Sequence, residues 1–139
     1  MDVRRLPKAP NINKNNVSEK ERVLELAKRD IIAFGQLFLP EDFMKSSPAT
    51  YHYELNELLL DSSKKRNCII LPRGHSKSTL AKTALLYHLY FNPEGKKEFI
   101  AWVAEEQSQA IDHIKYIQNH IEVNPALNYY FGDIRGSKW

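Results

Sequence analysis

The 139 residues include one cysteine, Cys68. No disulfide can close within the chain, which suits a reducing interior. Cys68 lies inside an apolar run and reads as a small buried hydrophobe. Long uncharged apolar runs are also missing, as is a secretory leader; neither export nor membrane spanning is indicated. There is no internal repeat and no low-complexity tract. The charge balance is thin: 20 Lys and Arg against 17 Asp and Glu leave +3. That permits a polyanionic partner without demanding one. What remains is ordinary for a soluble globular protein, with 42% hydrophobic and 27% charged residues, and enough length for one domain with a modest core.

The informative stretch runs from Asn67 to Thr79. Asn67-Cys68-Ile69-Ile70-Leu71 has the look of a buried parallel strand. Pro72 and Gly74 mark a tight turn, and Lys77-Ser78-Thr79 opens a helical run. Strand, turn, Lys-Ser/Thr and helix are the parts of a phosphate-binding loop. A helix N-terminus offers unpaired backbone N–H groups and partial positive charge, and a turn packed on it adds more N–H groups around the same point. Lys77 would bring a full charge to the β/γ-phosphates, and Ser78 a hydroxyl to Mg²⁺. The spacing departs from G-x-x-x-x-G-K-[ST]: Ser76 and Leu71 stand where the two glycines belong, and Gly74 sits mid-loop. A basic turn between strand and helix is the alternative.

Around this loop the pattern predicts helices and one more strand. Residues 1–17, with Arg4, Arg5, Lys8 and Lys14 among prolines and asparagines, read as a flexible basic arm. Ser18 and Glu21 form a capping box for a helix over 19–35, with Leu24, Ala27, Ile31 and Phe34 on its apolar face. Ser47-Pro48 begins a second helix, over 48–62. A third spans 77–91, with Leu80, Ala81, Ala84, Leu85, His88 and Leu89 turned to a sheet. His88 reads as a packing residue rather than a ligand. Glu98 to Val103 reads as a second strand, so strand, helix and strand make a right-handed βαβ unit. A fourth helix follows to about 123, broken by Asn124-Pro125, and an aromatic cluster and turns close the chain.

In order and spacing these motifs resemble the N-terminal part of the ATPase domain of tailed-bacteriophage large terminase subunits. The resemblance covers residues 48–133. It is carried by the helix containing Tyr51-His52-Tyr53-Glu54-Leu55, the loop from Leu71 to Thr79, the run Ile100-Ala101-Trp102-Val103-Ala104-Glu105-Glu106-Gln107, and Asn124-Pro125 through Gly132-Asp133. It implies an α/β P-loop NTPase partial domain with parallel strands, flanking helices and an N-terminal helical extension, filling residues 18–139. It implies ATP and Mg²⁺ as cofactors. Pro72, Arg73, Gly74, His75, Ser76, Lys77, Ser78 and Thr79 would line the phosphates, with Ser78 on the metal. Lys77 and Arg73 would stabilise charge in phosphoryl transfer; for Arg73 a solvent-facing loop residue is the alternative. Tyr51 and His52 would approach the adenine, or serve helix packing instead.

The implied activity is ATP-driven translocation of double-stranded DNA into a procapsid. The implied partners are DNA, the portal protein and a small terminase subunit. A homo-oligomeric ring, the host-cell cytoplasm and no membrane complete the expectation. The acidic strand that holds Mg²⁺ and activates water, and the nuclease domain, are missing from these residues. The chain is therefore expected to be a fragment or a truncated reading frame, inactive as an ATPase by itself. Two rivals stand beside this expectation: another P-loop DNA translocase of helicase type, and a non-catalytic assembly module with a degenerate loop.

Overall fold

The computed structural model describes residues 16–43, 46–61, 63, 66–91 and 100–135. Among them are seven helices and no strand: α1 Asn16–Arg29, α2 Ile31–Phe38, α3 Pro40–Phe43, α4 Thr50–Leu60, α5 Lys77–Phe91, α6 Gln107–Val123 and α7 Pro125–Phe131. The expected α/β P-loop fold and its βαβ unit are therefore overturned.

The reason lies in what a strand needs. A strand stays a strand only when a neighbour takes its backbone groups and its faces are covered. Residues 67–71 and 100–103 are neither helical nor paired, and Ile70 and Val103 are each 88% exposed. Cys68, expected inside, is exposed. The first two residues of the second expected strand, Glu98 and Phe99, lie outside the described residues, as do residues 1–15 of the expected arm.

The core gathers on α2 instead. The expected helix over 19–35 breaks at Asp30, whose backbone is extended and whose carboxylate accepts the Ala33 N–H at 2.6 Å. That is an N-cap, and it starts a second helix on a new axis. Asn56 on α4 supports the same end: its buried Oδ1 accepts the Ile31 N–H at 2.8 Å. The side chains Ile31, Ile32, Phe34 and Phe38 are buried, so α2 is apolar nearly all round. It packs on α1, α3, α4 and α5, which is where a helix of that kind must sit. Gly35, expected near a helix end, lies inside α2, where a β-carbon would stand 2.3 Å from the Phe43 ring, so the close packing of α3 favours glycine there.

The buried face of α5 is correspondingly rotated. Thr83, Leu86 and Tyr87 are buried beside Leu80 and Ala84, whereas Leu89 is 40% exposed. Tyr87 donates its hydroxyl to the Lys28 carbonyl at 2.7 Å, capping the end of α1. Phe34 is the aromatic hub, with ring centroids of Phe38, Tyr87, Phe91, Tyr90 and Phe131 all within 6.4 Å. His88 sits half-buried with its ring edge-on to Tyr87, a packing role as expected.

Asn124 both ends α6 and starts α7. Its Oδ1 accepts the Ala126 and Leu127 N–H groups at 3.0 and 3.1 Å, and its Nδ2 donates to the Phe38 carbonyl at 2.9 Å. Asn-Pro, read as a helix breaker, works here as N-cap plus first-turn proline. No helix among the described residues is long and apolar enough to cross a membrane.

Candidate functional site

The loop from Leu71 to Thr79 reaches the N-terminus of α5, the 15-residue helix that begins at Lys77. Gly74 and Ser76 both have positive φ, 81° and 56°. For glycine that costs nothing, but for serine it is a strained setting. The Ser76 carbonyl accepts the Leu80 N–H at 2.9 Å, so Ser76 is the residue through which the chain enters the helix. The N–H groups of Lys77, Ser78 and Thr79 belong to the first turn, where no intrahelical acceptor exists. Positive-φ residues beside a helix start are the backbone setting that turns N–H groups towards an anion.

The side chains add charge and hydroxyls. The Lys77 ammonium folds back and donates to the Pro72 carbonyl at 2.8 Å and to the Leu71 carbonyl. It therefore arches over the loop it terminates. Ser78 is exposed and Thr79 half-buried. Residues 73–79 together line a concavity of about 510 Å³ that contains no carboxylate, so nothing in its own wall repels an anion. Arg73 and Pro72 are exposed; the Arg73 guanidinium makes no hydrogen bond to a described residue. His75 Nδ1 lies 3.1 Å from the Arg73 carbonyl.

The eight expected loop residues are thus contiguous at one helix end. The two expected from α4 are placed differently from each other. Tyr51 reaches the loop through His75, ring centroids 5.6 Å apart. His52 packs its ring on Tyr51, centroids 4.1 Å apart, while its Nδ1 accepts the Ala49 N–H at 2.9 Å at the start of α4, and it reaches Ser76 and Thr79 only from behind the loop. The expected N-cap Ser47 and first-turn Pro48 lie ahead of that start, since the helix begins at Thr50.

The metal expectation can be tested on donor chemistry. Among the described residues no three His, Cys, Asp or Glu side chains group as a metal site. Ser78 supplies one oxygen. Mg²⁺ fits here only as an ion that arrives on phosphate oxygens and keeps its waters, which is its usual habit. Asp133 is no substitute: exposed in its turn, it is held by Arg135 hydrogen bonds at 2.6–2.9 Å, which lower its pKa to about 2.

A second polar cluster was not foreseen. Tyr116 and His120, one turn apart on α6, meet Asp42 of α3 and Lys82 of α5. The Tyr116 hydroxyl donates to Asp42, the Lys82 ammonium stands 3.8 Å from the Tyr116 ring centroid, and the His120 ring meets it edge-on at 4.5 Å. The spacing of Tyr116 and His120 was visible, but partners 74 residues away in sequence were not. Burial raises the Tyr116 pKa, with the Asp42 hydrogen bond next. Burial also holds His120 below the ordinary 6.5, against the pull of Asp42 and Glu41 and with the push of Lys82. Its Nδ1 faces the Asn124 amide donor at 3.1 Å, an arrangement that suits the unprotonated nitrogen.

The unfolded chain therefore takes up this proton at a higher pH than the folded one. Stability is full above the ordinary value and is lost as pH falls below it, down to the lowered folded value. Thermal unfolding followed from about pH 7.5 to 5 is expected to show this fall, and His120→Gln is expected to flatten it. An unchanged slope in the variant would assign the pH dependence to other groups.

Compared with known proteins, the chain matches no family model, no curated protein and no solved structure.

Proposed function

We propose that the loop at 71–79 and the first turn of α5 bind the phosphates of ATP, and that the chain is an ATP-binding segment of a DNA-packaging motor of the large-terminase type. The observation that supports this most is local. The open first turn of α5 stands beside two positive-φ residues, in a concavity lined by residues 73–79 that includes Lys77 and no carboxylate. None of this depends on a sheet. Backbone N–H groups would take phosphate oxygens, Lys77 would shift from the Leu71 and Pro72 carbonyls to the β/γ-phosphates, and Ser78 would join Mg²⁺ carried by them. Tyr51 is the aromatic ring near enough, through His75, to follow the base.

The wider function comes from the motif resemblance. In a packaging motor the partners are duplex DNA, held mostly through phosphates and so salt-sensitive, the portal protein and a small terminase subunit. The working form is a homo-oligomeric ring in the host-cell cytoplasm. Hydrolysis needs a group that activates water, and the loop wall holds no carboxylate. Binding without turnover is therefore the expected behaviour of these residues, with ATPase activity belonging to the motor.

The engagement of Lys77 by backbone carbonyls favours a second reading, a loop that no longer grips nucleotide in a non-catalytic assembly module. Thermal unfolding in Mg-ATP separates the two. A ligand at 100 times its Kd that binds only the folded state adds about 2.7 kcal/mol. A rise in Tm that grows with Mg-ATP concentration supports the nucleotide site. A well-folded sample whose Tm does not move at millimolar Mg-ATP leaves the assembly module.

A further inference from the structure

Behind the loop, between α2, α3, α4 and α5, lies a cavity of about 40 Å³. Ile32 and Leu80 wall its apolar side; Asp42, His52, Ser76 and Thr79 are among its polar lining. His52 is the residue to explain. Its Nδ1 accepts the Ala49 N–H, which leaves the proton of the neutral ring on Nε2. That Nε2 is buried and finds no acceptor among the described protein groups. A buried donor left so costs free energy comparable to a lost hydrogen bond.

The cavity is matched to one kind of guest. A water needs roughly 10–15 Å³ of such space and two to four polar partners, so about 40 Å³ admits one water comfortably and no ring-sized ligand. The partners are present. One Asp42 oxygen takes the Tyr116 hydroxyl, which leaves the carboxylate's other lone pairs available, and Ser76 and Thr79 border the same space.

We propose that a buried water occupies this cavity, accepts the His52 Nε2–H and donates to Asp42 and to Ser76 or Thr79, so that His52 is a positioning residue for the loop. The water would hold Ser76 in its left-handed setting from behind, and so fix the carbonyl that receives the Leu80 N–H. This deepens the phosphate-binding reading, because Ser76 is where the loop enters α5. It is tested without nucleotide, so the two readings fail separately.

The test is amide exchange at Leu80 together with the His52 ring tautomer by ¹⁵N NMR. His52→Phe keeps a ring and removes the donor; His52→Gln retains an amide donor. In His52→Phe, exchange at Leu80 is expected to rise roughly tenfold, the scale of one lost hydrogen bond, and His52→Gln is expected to recover most of that loss. The wild-type ring should carry its proton on Nε2 and show magnetisation transfer from a long-lived water. A folded His52→Phe with wild-type exchange at Leu80 would overturn the proposal. If that variant does not fold, the wild-type spectrum decides: a proton on Nδ1, or no long-lived water at Nε2, overturns it equally.

Discussion

Phe34→Ala is expected to destabilise the fold by about 3–5 kcal/mol, the range for deleting a buried phenyl ring. Phe34 is fully buried, and five aromatic neighbours from α2, α5 and α7 surround it. Neighbours drawn from three helices cannot close on the gap together, so the cavity term is large. Domains of this size hold roughly 5–15 kcal/mol in all; the variant should lose at least about a fifth of that. Urea unfolding by circular dichroism measures it, with a lower midpoint and an unchanged slope. Leu89→Ala is the control. A helix laid on a sheet by the stripe Leu85-Leu89 would bury Leu89, but here it is 40% exposed. Its truncation should cost under about 1 kcal/mol. If Leu89→Ala proves costlier than Phe34→Ala, the helical core centred on α2 is wrong.

Lys77→Ala is expected to weaken Mg-ATP binding by about 10- to 150-fold, the equivalent of 1.5–3 kcal/mol for a hydrogen bond to a charged partner. The substitution removes two things. One is the cation proposed for the β/γ-phosphates. The other is the bridge to the Leu71 and Pro72 carbonyls, which shapes the loop before any ligand arrives. Calorimetric titration at low and high salt separates them: the charge effect shrinks with added salt, whereas the loss of loop shape does not. Lys77→Arg tests geometry, since a planar guanidinium cannot replace a compact ammonium inside a tight loop. Full affinity in Lys77→Ala would remove the lysine from the site.

Much of this architecture is readable in the amino acids, and what is not fails for identifiable reasons. The helix from 77 to 91 and the end of the next one at 123 agree with the periodicity and with Asn-Pro. The pair Ala27 and Ile31, with Phe34, is buried as its spacing implies. The strands failed because an apolar run with a β-branched pair, such as Cys68-Ile69-Ile70, signals only a fit to a pleated surface; whether a partner strand exists is not written in it. The face of α5 failed because Leu80 and Ala84 fit two stripes, and which one is buried depends on what lies opposite. Asp30 was hidden inside an unbroken apolar period, although Asp three residues before a free N–H is a capping signal. At the site, the loop's composition was legible, but the positive φ of Ser76 and the diversion of His52 into a cavity come from tertiary packing.

The central claim is that phosphate binds at the head of α5. Amide shift mapping of the ¹⁵N-labelled chain during a Mg-ATP titration tests it most directly. The largest saturable changes should fall on Gly74 through Thr79, with smaller ones at Tyr51, and should be lost in Lys77→Ala. Changes absent from that segment, or centred on the Tyr116–His120 cluster of α6, would contradict it.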